Sequence, residues 1–228
     1  MDALPLRIEW RLATPWCPPQ MGMHLDGLIG FALKEQAELE GREFGTFEQL
    51  LEDLPFAKHE SKGGWVWQAS LVQPARVLGT ERVYMTSKTA STELAERMGD
   101  GRIQGRALSK IDTQRGLFKN DAFWITLEHV DTLEAYCVGD PERIVALLDH
   151  VTHLGKRGRL DYGRVALRER TEDTEAGLDF TVEEDASALE RWKHRVMPEP
   201  VDGYVPVSSR LTPPYWAGEG ASMAWRPA

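Results

Sequence analysis

The chain of 228 residues is poor in cysteine, with only Cys17 and Cys137. The two lie far apart and neither has a CxxC partner. This excludes a disulfide scaffold and a thiolate zinc site, and makes a reducing cytoplasm the expected setting. Long apolar runs are missing as well. Nothing approaches the roughly 18 residues of a membrane span, and the start Met1-Asp2-Ala3-Leu4-Pro5 has no basic region followed by an apolar core, so no membrane or secretory route is expected. Of six histidines, only His150 and His153 fall at helical ligand spacing, with no third ligand beside them, so no metal and no other cofactor is expected. Ser208-Ser209 lacks the frame of a nucleophile elbow. No internal repeat or low-complexity tract is present.

Against these absences one stretch stands out, Leu154-Gly155-Lys156-Arg157-Gly158-Arg159-Leu160-Asp161-Tyr162-Gly163-Arg164-Val165. Its glycines let a backbone approach a ligand closely, and its lysine and arginines supply charge for a polyanion. The Walker and dinucleotide fingerprints both follow a strand. Here the order is a helix-like segment, Pro141 to His153, then the loop, then a strand-like one. That order points to a phosphodiester backbone, and to RNA.

Charge is segregated along the chain. The net charge is −9, which argues against free-standing, non-specific nucleic-acid binding. Yet Glu60 to Lys119 carries ten Lys/Arg against six acids, and Val151 to Arg170 carries six against two. Glu172 to Glu190 holds eight acids and no base. Basic patches on an acidic body suit an RNA contact made inside a larger assembly. The acidic stretch reads equally as a solvated face.

Period and punctuation predict the elements. Leu6 to Leu12 alternates like a half-buried strand, ended by the turn Thr14 to Pro19. A helix is expected from His24 to Glu40, with Leu25, Leu28, Ile29, Ala32 and Leu33 on one stripe and Gly41 closing it. Phe47 to Leu54 reads as a short helical turn, and Trp65 to Val72 and Arg82 to Thr86 as strands, with Trp65 and Trp67 on one core face. Thr89 to Arg106 reads as a long loop. Ala122 to Glu128 and Thr132 to Val138 read as a hairpin-like pair. Asp140-Pro141-Glu142 opens a helix that buries Ile144, Leu147, Leu148 and Val151. Strands follow at Arg164 to Arg168 and Leu178 to Val182, and the tail from Met197 is rich in proline and weak in periodicity. The order predicts an α+β protein with a ferredoxin-like (RRM-like) sheet under two helices.

A glycine-rich loop of the form Gly-Lys-Arg…Gly-Arg-Val after the second helix of such a unit resembles the signature of the RAMP superfamily of CRISPR-associated RNA-binding proteins. Met23 to Leu33, Lys110 to Lys119 and Arg210-Leu211-Thr212-Pro213-Pro214-Tyr215-Trp216 add to the likeness. Together these segments are most similar to the type IV CRISPR effector subunit that corresponds to the subunit capping the crRNA 5′ handle. The resemblance implies one RAMP domain over 1–228, with 87–121 a thumb-like insertion and 171–228 a C-terminal extension or degenerate second half. It implies a non-catalytic subunit that grips the 5′ handle of the guide RNA, caps the backbone filament, and touches backbone and large subunits. In some relatives the subunit lies near target DNA, and one branch cleaves precursor RNA.

The candidate RNA-binding residues follow. In the loop they are Gly155, Lys156, Arg157, Gly158 and Arg159, with backbone N–H groups and cations holding phosphates, and Arg164 extends the same face. Tyr162 either stacks on a base or packs in the core. Lys110, Arg115 and Lys119 form a second phosphate-contacting surface or a solvated approach to the next strand. Lys88, Arg102 and Arg106, with Arg97, sit on the basic excursion between them. No catalytic residue is assigned. The alternative is His24 as acid or base in metal-independent cleavage of precursor crRNA, against a structural histidine at a helix start. Trp216 and Trp225 either face a partner subunit or close over the body of the fold.

Overall fold

The computed structural model describes residues 3–87, 121–170, 176–215 and 220–228. The opening alternation forms β1 (Leu4–Arg11), which buries Leu6, Ile8 and Trp10 and turns Arg7 and Glu9 to the other face. A two-residue strand, β2 (Met23–His24), leads directly into α1 (Leu25–Leu39). This helix stops because Gly41 takes a φ of 65°. Its N–H donates to Glu38 O and that of Arg42 to Ala37 O, the paired bonds of a Schellman cap. Next comes α2 (Phe47–Leu50), opened by a capping box between Thr46 and Gln49. The hairpin β3 (Lys58–Ser61) and β4 (Gly64–Trp67) precedes β5 (Leu71–Pro74).

Two long strands follow, β6 (Val77–Ser87) and β7 (Asp121–Val130), then β8 (Thr132–Gly139). Helix α3 (Pro141–Leu148) is capped by Asp140, whose carboxylate accepts from Arg143 N–H at 3.1 Å, with Pro141 in the first turn. The remaining elements are β9 (Leu167–Arg168), β10 (Gly177–Leu178), β11 (Phe180–Glu184), α4 (Ala188–Arg191), β12 (Tyr204–Ser209) and β13 (Ser222–Pro227).

The fold is α+β. Its main sheet has the order β11-β1-β8-β5-β2, with every neighbour antiparallel, so Ile8 lies between Val182 and Ala135. Helices α1 and α3 bury one side of it. Leu25, Ile29, Ala32 and Leu33 share a cluster with Ile144, Leu147, Leu148 and with Leu133, Ala135 and Cys137 of β8. Burying each of the leucines and isoleucines among them is worth about 1.5–3 kcal/mol. Strand β8 is covered on its other side too. Val138 packs with Val66, Trp192 and Met197, and the Arg191 guanidinium lies 3.7 Å over the Tyr136 ring. Double coverage is why this strand reads as a nearly unbroken apolar run.

The chain divides into two compact units, one of Met1–Gly79 with Glu128–Ala228 and one of Thr80–Leu127. The first contains the main sheet and the helices. Of the second, the described residues belong to the two-stranded ribbon of β6 and β7. No helix among the described residues is long and apolar enough to cross a membrane.

Several sequence expectations are corrected. β7 pairs with β6 and not with β8, which instead lies between β1 and β5, because the sheet's interior offers β8 two partners. The expected strand from Trp65 to Val72 breaks into β4 and β5 at Gln68 to Ser70. Trp67 is buried, but Trp65 is exposed on the small hairpin, edge-on to Trp67 at 5.2 Å with Lys58 above both rings. Strand structure after the glycine loop shrinks to β9, since Arg164 and Val165 make only isolated bridges to His153 and Leu12. The proline-rich tail forms the hairpin β12–β13.

Candidate functional site

The glycine loop is clamped onto the turn that follows β1. Lys156 N–H donates to Cys17 O and Gly163 N–H to Pro15 O, each at 2.8 Å. Leu154 N–H reaches Gly163 O, and Arg164 N–H reaches Thr14 Oγ1 at 2.9 Å. Two glycines are required by this fit. Gly155 has a φ of 92°, and a Cβ there would lie 2.6 Å from Cys17 O; Gly163 has a φ of 69°, and a Cβ would lie 1.9 Å from Leu154 O. Arg157 and Asp161 also take positive φ, at the two ends of a short 3₁₀ turn, Gly158–Leu160.

Gly155 and Gly163 therefore serve internal packing, and the N–H groups of Lys156, Leu160, Asp161, Gly163 and Arg164 donate within the protein. What the loop offers outward is side-chain charge. Lys156, Arg157, Arg159 and Arg164 are all exposed, as is Leu160, while Tyr162 is half-buried and Gly158 partly covered. Asp161 faces Arg164 at 3.3 Å and His153 at 3.3 Å, which holds one cation in place at the loop's end. Burial pushes the Cys17 thiol up against the opposing pull of Lys156 and Arg157. Lys88, Arg97, Arg102, Arg106, Lys110, Arg115 and Lys119 lie outside the described residues, as does Trp216. Trp225 is half-buried, and its backbone exchanges hydrogen bonds with that of Met197.

Beside the loop lies a cleft of about 490 Å³, walled by the start of α1, by Gly155 and His153, and by the C-terminal hairpin. His24 lines it. The ring is 7% exposed and stacks on Tyr215 with centroids 4.0 Å apart. Burial, aided by nearby Arg195, pushes its pKa well below the usual histidine value, so the imidazole is neutral at neutral pH.

Behind His24 is a buried polar knot. Arg195 is fully buried and donates to Asp26 Oδ2 at 3.1 Å, Tyr215 Oη at 2.6 Å, Leu211 O at 2.9 Å and Ala69 O at 3.0 Å. Tyr215 Oη in turn donates to Asp26 at 2.7 Å. Burial works against the charge on Arg195, but Asp26 and Tyr215 hold its pKa above the ordinary value. Burial also pushes the Asp26 carboxyl up, opposed by Arg195, Tyr215 and the Gly27 N–H. The knot ties α1, the link into β5 and the C-terminal segment together, and so sets the cleft's walls.

Sequence reasoning missed Asp26, Arg195 and the partnership of Tyr215 with them. An acid inside the apolar opening of α1 was the available signal. It also missed an aromatic pair on the ribbon. Tyr84 and Trp124 are both more than half exposed, with ring centroids 5.0 Å apart, and Arg82 lies 5.4 Å from the Trp124 ring. On β7, Ile125 and Leu127 are buried and Trp124 falls on the outward phase, which the alternation encodes.

No group of three or more His, Cys, Asp or Glu among the described residues could hold a metal ion. In comparisons with known proteins, the model of the family described as CRISPR type IV associated protein Csf3 matches residues 4–227. No curated protein matches the chain.

Proposed function

The chain belongs to the family of the CRISPR type IV associated protein Csf3 and is a type IV CRISPR subunit, and from that premise we propose that it binds guide RNA, gripping the 5′ handle and capping the backbone filament without doing chemistry. The observation that carries this reading is the cation set Lys156, Arg157, Arg159 and Arg164, displayed on a loop whose backbone is hydrogen-bonded into the fold. Such a loop holds its charges in place before a polyanion arrives, so binding orders little backbone. The strand order β11-β1-β8-β5, with α1 and α3 following the first and third strands in sequence, supports a ferredoxin-like core. In this reading 1–228 is one RAMP domain, 87–121 a thumb-like insertion that adds Lys88, Arg102, Arg106, Lys110, Arg115 and Lys119 to the RNA surface, and 171–228 gives the core its fourth strand, β11, before continuing as a C-terminal extension or degenerate second half. Backbone and large subunits are the proposed protein partners.

The test is co-expression of the full chain with a CRISPR array and its neighbouring subunits, followed by sequencing of the bound RNA. RNA with one defined 5′ handle is expected, and Lys156→Glu with Arg157→Glu is expected to lose it while the fold persists. Unchanged RNA recovery removes the loop from the mechanism. One observation favours a second reading, precursor cleavage by His24: a neutral imidazole lines a cleft beside the loop. A His24→Gln variant that still yields mature guide RNA rules that reading out.

A further inference from the structure

The cleft beside the glycine loop has features that phosphate contacts leave unexplained. Its mouth carries Phe31, 51% exposed, and Met21, 64% exposed, with Met23 and Leu28 further along the wall. Large apolar side chains gathered at the mouth of a cavity are costly in water unless something covers them. Its volume of about 490 Å³ falls within the usual range for sites that take small molecules or single residues. Inside, His24 Nδ1 is buried with no hydrogen-bond partner, in a side chain more than nine-tenths buried. A buried polar atom of this kind is an uncompensated cost that a ligand group can remove. Arg226, from the C-terminal hairpin, also lines the cleft, and its Nε has no partner. The rim at Gly155 runs straight into Lys156 and Arg157.

These features specify an occupant that is flat and largely apolar, carries a hydrogen-bonding edge, and is joined to an anionic chain. We propose that the cleft takes one unstacked nucleobase of the bound RNA, its face against Phe31 and Met21 and its edge toward His24, while the adjoining phosphates lie on the Lys156–Arg157 side. Unstacked bases of single-stranded RNA are held in this way, by aromatic faces and by their hydrogen-bonding edges. The proposal rests on reading the loop as a phosphate-contacting surface, and it adds a position along the RNA where the base itself matters.

The experiment uses the full chain and the 5′ segment of the RNA that co-purifies with it, resynthesised with an abasic nucleotide at one position at a time and read by fluorescence anisotropy. At one position, loss of the base is expected to weaken binding on the order of tenfold. The exposed Phe31→Ala variant is expected to weaken intact RNA by a similar factor and to become indifferent to the base at that same position, the non-additivity of two changes in one contact. Phe31→Trp is expected to keep the sensitivity. If intact RNA binds and no abasic position matters, or if the sensitive position stays sensitive in Phe31→Ala, the base pocket is wrong and the loop reading stands. If Phe31→Ala keeps its RNA profile but loses a neighbouring subunit, the cleft holds protein and the proposal fails. If the unaltered chain binds no RNA, both readings fall.

Discussion

Arg195 and the cations of the glycine loop are the same chemistry put to opposite uses. Arg195 is fully buried, and its donors reach Asp26, Tyr215 and three backbone carbonyls among others. A charge in so poorly polarisable a setting is tolerable only with its partners in place, so this arginine holds three segments of chain in register. Lys156, Arg157 and Arg159 stand exposed on a loop whose fold is secured by backbone bonds and by two glycines. Their charges face outward, while the backbone bonds and the two glycines hold the loop's path. The difference separates residues whose loss breaks the protein from residues whose loss breaks its proposed contact.

The sharpest way to break this contrast is to truncate each side. Arg195→Ala leaves Asp26 buried without its cation and is expected to cost about 3–5 kcal/mol in urea denaturation. The paired change Asp26→Leu with Arg195→Met removes both charges and is expected to cost less than the single truncation. Lys156→Glu with Arg157→Glu is expected to leave the melting transition within about 0.5 kcal/mol of the parent. Each cation removed should also lower the slope of log affinity against log salt by about 0.7 for single-stranded RNA. A large loss of stability in the loop variant would erase the distinction.

A smaller effect comes from pH. His24 has a folded pKa well below its unfolded value near 6.5, through burial and the neighbouring Arg195, with Tyr215 stacked on it and Asp26 bound to both. The unfolded chain therefore binds the proton first as pH falls. The contribution of this group to stability is full above pH 6.5 and is expected to be lost progressively as pH falls below it. His194, also depressed by burial and by Arg191, adds to the decline. Denaturation midpoints between pH 7 and 5 measure the slope, and His24→Gln should reduce it. Smallest of all, Glu183→Lys with Glu184→Lys on the exposed edge strand β11 is expected to change stability by less than about 0.5 kcal/mol. That pair should alter RNA recovery far less than the loop pair does.

Much of this arrangement is legible in the order of residues alone. The alternation of Leu6, Ile8 and Trp10, the stripe on α1 with Gly41 behind it, and the Asp140-Pro141 start of α3 are short-range patterns, and each appears where its period or cap chemistry requires. The family likeness is legible too, from segments spread along most of the chain. The site is legible only in part. The cations of the loop stand exposed as their pattern suggests, while Gly155 and Gly163 fit against the turn of Pro15, Trp16 and Cys17, a packing role that no pattern within the loop announces. His24 reads from sequence as a candidate acid or base, but nothing near it in the chain signals its buried stack on Tyr215.

By itself the sequence determined where β1, α1 and α3 lie, which of their faces are apolar, and where positive charge gathers, because each depends on neighbours a few residues away. Tertiary structure alone decided that β7 pairs with β6, that Arg195 meets Asp26 across 169 residues, and that a cleft opens beside the loop. Those outcomes depend on which distant surfaces can be buried together with every polar group satisfied, a condition that no local pattern of residues encodes.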